Sequence, residues 1–168
     1  MKISIVIPVF NEAGTILKVV GVVEEASFGF DAEREIIIVD DGSTDGTADI
    51  LKNMKGAKII SLDKNMGKGA AIKKGFEVST GDFVIIQDAD LEYTPSDYPA
   101  LFAPIVERKA DVVFGTRFRG EYQRVLYFWH YFGNSFLTTL SNMFTNLNLS
   151  DMEVGYKVFS REVVRIIT

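Results

Sequence analysis

Asp88 and Asp90 stand one residue apart in Asp88-Ala89-Asp90, close behind the apolar run Phe83-Val84-Ile85-Ile86. A carboxylate is costly to bury without a partner, so two of them at the end of an apolar strand are poor packing residues. At that spacing both can reach one hard divalent cation, which keeps further positions for water and substrate phosphates. The chemistry indicated is a metal-held diphosphate, and hence an enzyme. A second acidic cluster, Val39-Asp40-Asp41-Gly42-Ser43-Thr44-Asp45-Gly46-Thr47, matches the opening of a calcium loop at Asp41, Ser43, Asp45 and Gly46. The position that should hold the bidentate Glu is Lys52, which excludes that site. Asp41 at a strand end can instead accept a hydrogen bond from a base imide or a ribose hydroxyl, while Asp45 suits a turn or a helix cap. The third group, Asn65-Met66-Gly67-Lys68-Gly69-Ala70-Ala71, lacks both the last glycine of a dinucleotide fingerprint and the Gly-Lys-Ser/Thr of a P-loop. Alone it reads as a loop-to-helix junction. Beside two carboxylate clusters, Lys68 becomes a counter-charge for a diphosphate, reinforced by the helix N-terminus.

These groups need elements to hold them. Short β-rich runs at 4–9, 35–40, 58–62, 83–87 and 111–115 alternate with helical stretches at 13–26, 47–55, 68–79 and 96–108. Several strands are unbroken runs of Ile and Val, the mark of parallel strands covered on both faces. Asp45 and Ser96 are the expected caps of the second and fourth helices. The alternation predicts one domain over 1–168, an open α/β sheet with helices on both faces. Ligands of such sheets bind beyond the carboxyl ends of the strands. That rule brings Pro8-Val9-Phe10-Asn11-Glu12, Asp40-Asp41-Gly42-Ser43, Asp88-Ala89-Asp90 and Gly115-Thr116-Arg117 to one rim.

Composition narrows the partners. The 168 residues carry a net charge of −5, leaving no general electrostatic footprint for duplex nucleic acid. There are no cysteines, so disulfides and thiolate metal sites are excluded. The apolar stretch 127–149 is interrupted by His130, Asn134, Ser135, Ser141, Asn142 and Asn146, and reads as amphipathic or interfacial rather than membrane-spanning. Between Phe114 and Phe136 aromatic residues are dense: Phe118, Tyr122, Tyr127, Phe128, Trp129, Tyr131 and Phe132. A helix packed on the sheet accounts for some of them, and a surface bearing a lipid chain for others. His130, the single histidine, reads as structural. The apolar ending Val163-Val164-Arg165-Ile166-Ile167-Thr168 suits a chain cut from a longer one as well as a natural terminus.

In their order and spacing, the motifs Pro8-Val9-Phe10-Asn11-Glu12, Val39-Asp40-Asp41-Gly42-Ser43, Asn65-Met66-Gly67-Lys68-Gly69, Asp88-Ala89-Asp90-Leu91-Glu92 and Gly115-Thr116-Arg117 resemble family 2 glycosyltransferases of the GT-A fold. The nearest likeness is to the branch of dolichyl-phosphate mannose synthases and polyprenyl-phosphate glucosyltransferases, over residues 3–161. The resemblance implies a Rossmann-like, twisted, mostly parallel sheet. It implies that Pro8, Phe10, Glu12, Val39 and Asp41 hold the nucleoside, and that Asp88 and Ala89 contact ribose and donor. Asp90 would bind Mg2+ or Mn2+ on the diphosphate, with Asp88 and Glu92 as further metal candidates. A glutamine often stands at the Glu92 position in the mannose synthases, so Glu92 either joins the metal or caps the next helix. On the acceptor side, Arg117 is suited to a bidentate phosphate contact, with Arg119 and Arg124 assisting. Asp151-Met152-Glu153-Val154-Gly155-Tyr156-Lys157-Val158-Phe159 looks like the segment that closes over donor sugar and acceptor. There Asp151 and Glu153, two apart, would share a face of an extended strand.

The expected reaction is inverting transfer of a sugar from a GDP-mannose or UDP-glucose type donor to a polyprenyl (dolichyl or undecaprenyl) phosphate, through an oxocarbenium-like transition state. An anionic phosphate acceptor needs no strong base. The chain accordingly has neither a Glu-Asp dipeptide nor the Gln-x-x-Arg-Trp signature of processive synthases. Glu153 or Asp151 as a base would suit the rival, transfer to a glycan or small-molecule hydroxyl. A non-catalytic nucleotide-sugar-binding module is the third reading. The expected location is cytoplasmic, peripheral at the cytoplasmic face of a membrane.

Overall fold

The structure is a computed structural model and describes residues 1–115, 128–152 and 154–168. Six strands form one sheet: β1 (Lys2–Val9), β2 (Glu33–Asp40), β3 (Ala57–Ser61), β4 (Phe83–Ile86), β5 (Val112–Phe114) and β6 (Lys157–Ser160). Their order is β3-β2-β1-β4-β6-β5. β1 to β4 run parallel, whereas β6 is antiparallel to both β4 and β5. The helices are α1 (Ile16–Glu25), α2 (Thr47–Lys52), α3 (Lys68–Val78), α4 (Tyr98–Val106), α5 (Phe128–Thr145) and α6 (Arg161–Ile167).

Side chains alternate across a strand, and β1 shows why this sheet is covered on both sides. Ile3, Ile5, Ile7 and Val9 join Val19 and Val23 of α1 and Phe102 of α4 in one core, while Val6 joins Ala71 and Phe76 of α3 in the other. Each fully buried Ile contributes about 1.5–3 kcal/mol, so β1 is the main anchor of the sheet. On the second face α3 lies so close that a Cβ on Gly75 would stand 2.3 Å from Val6 Cγ1.

The rim follows from register. Val9 pairs with Asp40 and Asp40 with Ser61, so β1, β2 and β3 end level. β4 stops at Ile86, opposite Val6, and the Gln87 amide continues the ladder to Val6 O at 2.9 Å. The loops carrying Phe10, Asp41, Met66 and Asp88 therefore leave the sheet at one edge.

Two expectations are corrected, and one further helix is found. Thr94, not Ser96, caps the turn Pro95–Asp97 ahead of α4, its side chain accepting from the Ser96 amide. The described residues 151, 152 and 154–156 are not in a strand, because β6 begins only at Lys157. The apolar ending folds as α6, capped by Ser160, whose hydroxyl accepts from Val163 N at 3.4 Å.

Candidate functional site

The loop after β1 is built by the second acidic cluster. Asn11 adopts φ 58, an uncommon conformation for a residue with a side chain, and is held there from both sides. Its amide donates to Ser43 Oγ at 2.9 Å, and its Oδ1 accepts from Thr44 N at 2.8 Å. Glu12 N donates to Thr47 Oγ1 at 2.9 Å, Ala13 N to Asp45 Oδ2 at 3.1 Å, and the Glu12 carboxylate accepts from the Thr15 hydroxyl. Asp45 also accepts from Thr47 N at 3.0 Å, but the cap position of α2 is Gly46 and not Asp45 as expected, so Asp45 braces the helix start from one residue further out. The Thr47 hydroxyl, foremost among its donors, holds the Asp45 carboxyl below the ordinary range.

Asp41 is 2% exposed, and its two oxygens accept from Met66 N and Gly67 N, each at 2.8 Å. One carboxylate thereby fixes the loop in front of α3. That loop lies tight against Gly42, at φ 73, where a Cβ would stand 2.7 Å from Lys64 C. Only glycine meets both conditions.

Asp88 is buried, and Lys68 Nζ lies 2.6 Å from its Oδ1 as an ion pair lacking hydrogen-bond alignment. Asp90 is exposed, and its Oδ1 accepts from Glu92 N at 2.9 Å across Leu91, which takes φ 62. Behind them, Gln87 Nε2 donates to the Asp88 carbonyl at 3.0 Å. A Cβ on Gly155 would stand 2.3 Å from Asp88 Oδ2, so the segment before β6 presses directly on this carboxylate.

These loops enclose a cavity of about 280 Å³. Pro8, Val9, Phe10 and Glu12 line it from β1, and Asp41 from β2. Asn65, Gly67, Lys68 and Ala71 line it from the α3 side, and Asp88, Ala89 and Asp90 from β4. Seven of the eight residues expected to bind a nucleotide sugar thus share one surface. Val39 does not: its side chain is fully buried in the core beneath α3, because alternation along β2 turns it inward.

Asp88, Asp90 and Glu92 do not form a three-carboxylate cage, and no group of three acidic, histidine or cysteine side chains suited to a metal occurs among the described residues. The turn at Leu91 brings the Glu92 amide to Asp90. The remaining pair still fits Mg2+ or Mn2+, since such ions are commonly held by one or two carboxylates plus substrate phosphates. Asp88 Oδ1, buried without an aligned hydrogen bond, already meets the Lys68 ammonium at 2.6 Å, so a metal ion there would share or displace Lys68.

Asp151, expected to meet the acceptor, is 1% exposed, and its Oδ1 accepts from Asn134 Nδ2 at 2.9 Å. It ties α5 to the chain entering β6. Arg117, Arg119, Arg124 and Glu153 lie outside the described residues. Gln87, Tyr93 and Gly155 were given no individual role from sequence; the only available signal was a Gln closing an Ile-Ile strand end.

The chain matches the family described as glycosyl transferase family 2 over residues 4–167. It is 38% identical over 104 residues to an undecaprenyl-phosphate 4-deoxy-4-formamido-L-arabinose transferase of Aeromonas hydrophila, covering 59% of this chain and 32% of that protein. It is 31% identical over 122 residues to a dodecaprenyl-phosphate galacturonate synthase of Rhizobium johnstonii, covering 70% and 36%. The chain thus spans about a third of the length of these curated relatives. Glucosyl-3-phosphoglycerate synthase of Mycobacterium tuberculosis superposes with a TM-score of 0.70 at 25% identity, over 96% of this chain and 58% of that one. The same enzyme with Mn2+, uridine-diphosphate and phosphoglyceric acid gives 0.69 at 26% identity, over 96% and 56%.

Proposed function

The chain belongs to glycosyl transferase family 2, and from that premise we propose that it transfers a sugar from a nucleotide-diphosphate donor to a polyprenyl phosphate. The observation that supports this best is the single surface formed by Phe10, Glu12, Asp41, Lys68, Asp88 and Asp90 from four separate loops. The names of the undecaprenyl- and dodecaprenyl-phosphate relatives support the acceptor. The complex of the structural neighbour with Mn2+ and uridine-diphosphate supports the donor and a divalent cation.

In this reading the half-exposed ring of Phe10 offers a face to the base. Each Asp41 oxygen accepts one backbone N–H and keeps a lone pair for a base imide or a ribose hydroxyl. Lys68 exchanges Asp88 for the diphosphate. Asp90 and Asp88 hold Mg2+ or Mn2+, which supplies positive charge for the departing diphosphate. Arg117, with Arg119 and Arg124, grips and aims the acceptor phosphate, and the role assigned to Glu153 is to hydrogen-bond sugar hydroxyls or orient the acceptor. Asp151 supports that region through Asn134. Transfer inverts the anomeric carbon, and the already anionic phosphate attacks without a base.

No helix among the described residues is long and apolar enough to cross a membrane. The exposed side chains of Trp129, Phe132, Phe136 and Phe144 on α5 support peripheral contact with a membrane carrying the lipid acceptor, at its cytoplasmic face. A second reading, transfer to a hydroxyl of a small phosphorylated acceptor, draws support from the likeness to glucosyl-3-phosphoglycerate synthase.

The test is a panel of UDP- and GDP-sugars with polyprenyl phosphate, with and without Mn2+, reading label in the organic phase. Lipid- and metal-dependent label that vanishes in Asp90→Ala is the expected result. Transfer surviving Asp90→Ala would remove the metal role. Transfer only to water-soluble hydroxyl acceptors would favour the second reading.

A further inference from the structure

Gln87 is 1% exposed, among the largest fully buried side chains of the protein. A buried primary amide is costly unless both its carbonyl and its NH2 find partners. Oε1 accepts from Tyr98 OH at 2.8 Å and Tyr156 OH at 2.9 Å, and Nε2 donates to the Asp88 carbonyl at 3.0 Å. The orientation of the amide is chemically determined. A peptide carbonyl only accepts, so the NH2 must face Asp88, and the two phenols are left to donate to the two lone pairs of Oε1.

The three partners come from three places in the fold. Tyr98 opens α4, Tyr156 leads into β6, and Asp88 carries the loop beyond β4. The tyrosines pack on one another, Tyr98 and Tyr156 with ring centres 5.8 Å apart, Tyr93 and Tyr156 4.8 Å apart. Tyr93 OH accepts from Gly155 N at 2.8 Å, tying the same segment a second time. At the Asp88 carboxylate, Lys68 Nζ lies 2.6 Å from Oδ1.

We propose that Gln87 is a positioning residue for the donor site: its NH2 holds the Asp88 backbone, the Tyr98 and Tyr156 hydroxyls together fix the orientation of the amide, and the Asp88 carboxylate is thereby aimed at the cavity and Lys68. Its link to activity rests on the donor-site reading above; the clamp itself rests on the hydrogen bonds alone. The peptide it holds belongs to Asp88 itself, immediately before Ala89 and Asp90 on the cavity wall.

The test compares Gln87→Met with Tyr156→Phe. The first removes every polar contact of the hub, whereas the second deletes one phenol and leaves the contact to Asp88. Binding of UDP and GDP with Mn2+ is measured by calorimetry, thermal unfolding by calorimetric scan, and amide hydrogen exchange by mass spectrometry. Gln87→Met is expected to weaken nucleotide-diphosphate binding at least about tenfold and to speed exchange at 88–92, while Tyr156→Phe, after matching for loss of melting temperature, weakens binding less than about threefold. Wild-type affinity and exchange in Gln87→Met would overturn the proposal. So would an affinity loss no larger than that of Tyr156→Phe at equal destabilisation. Should Gln87→Met fail to fold, Gln87→Glu keeps an acceptor for both phenols and loses the donor to Asp88 once its carboxyl is ionised, so it is judged by the same criteria at a pH high enough to ionise it. If the native protein binds neither nucleotide, the donor-site reading falls. Exchange at 88–92 then decides the clamp, faster exchange supporting it and unchanged exchange refuting it.

Discussion

Replacing Gly155 with alanine adds one methyl group at the most crowded point of the site. Its Cβ would stand 2.3 Å from Asp88 Oδ2 and 2.6 Å from Tyr93 Cε2. Ordinary contact between such atoms is about 3.5 Å, so the neighbours must retreat by about 1 Å. Tyr93 is held by the Gly155 amide and by the Tyr156 ring, and Asp88 by Gln87 through its carbonyl. The Asp88 carboxylate is the freer group and is displaced from its position beside Lys68. Overpacking of this kind costs about 1–3 kcal/mol, a fall in melting temperature of about 2–12 °C for a protein of this size. A 1 Å error in a group that positions substrate lowers turnover by about a hundredfold. Thermal unfolding and metal-dependent consumption of a nucleotide-sugar donor are the two assays. Wild-type melting together with wild-type turnover in Gly155→Ala would refute the reasoning, since the steric conflict and its functional consequence would both be absent.

Gly21 supplies the contrast. It lies inside α1 with no heavy atom within 4 Å of a built Cβ, so Gly21→Ala should stabilise by about 0.5–1 kcal/mol in denaturant unfolding and leave donor turnover unchanged. Asp41→Ala strips the acceptors from Met66 N and Gly67 N. It should cost about 1–3 kcal/mol by the same measurement and abolish tight nucleotide binding by calorimetry. Burial alone would raise the Glu35 carboxyl, but hydrogen bonds from the Ser4 hydroxyl, the Thr80 amide and hydroxyl, and Lys2 outweigh it and bring it to about 2. A carboxyl depressed on folding stabilises above its ordinary value, 4.5, and loses that contribution as pH falls from there towards about 2. Glu35→Gln should therefore be about 1–2 kcal/mol less stable than the native protein at pH 7, allowing for solvent screening, with the gap closing through that acid window. A gap independent of pH in denaturant titrations would contradict this.

The strands were legible because burial on both faces leaves a local signature. The Ile and Val runs of β1, β2 and β4 needed no knowledge of their neighbours. β6 was missed for the opposite reason. Lys157-Val158-Phe159-Ser160 is short, and its place between β4 and β5 is set by pairing partners about 75 and 45 residues away. Ser96 was expected as the cap because the helical run was read as starting at that residue. Only the observed turn shows which side chain reaches the free amide.

Apolar strand runs alternating with helical stretches were sufficient to determine the open α/β sheet and to bring Phe10, Asp41, Asp88 and Asp90 to one edge, because strand ends of a parallel sheet share a rim whatever the loops do. Tertiary structure alone decided what each carboxylate does there. Asp41 fixes the loop before α3, Asp88 is buried against Lys68 and Gly155, Asp90 faces outward, and Asp151 is taken up by Asn134. Val39 turns into the core, and Gln87 joins three elements that are distant in sequence. A residue's type records what it can bond to. Which partner it meets depends on contacts between segments far apart in the chain, and those exist only once the chain is folded.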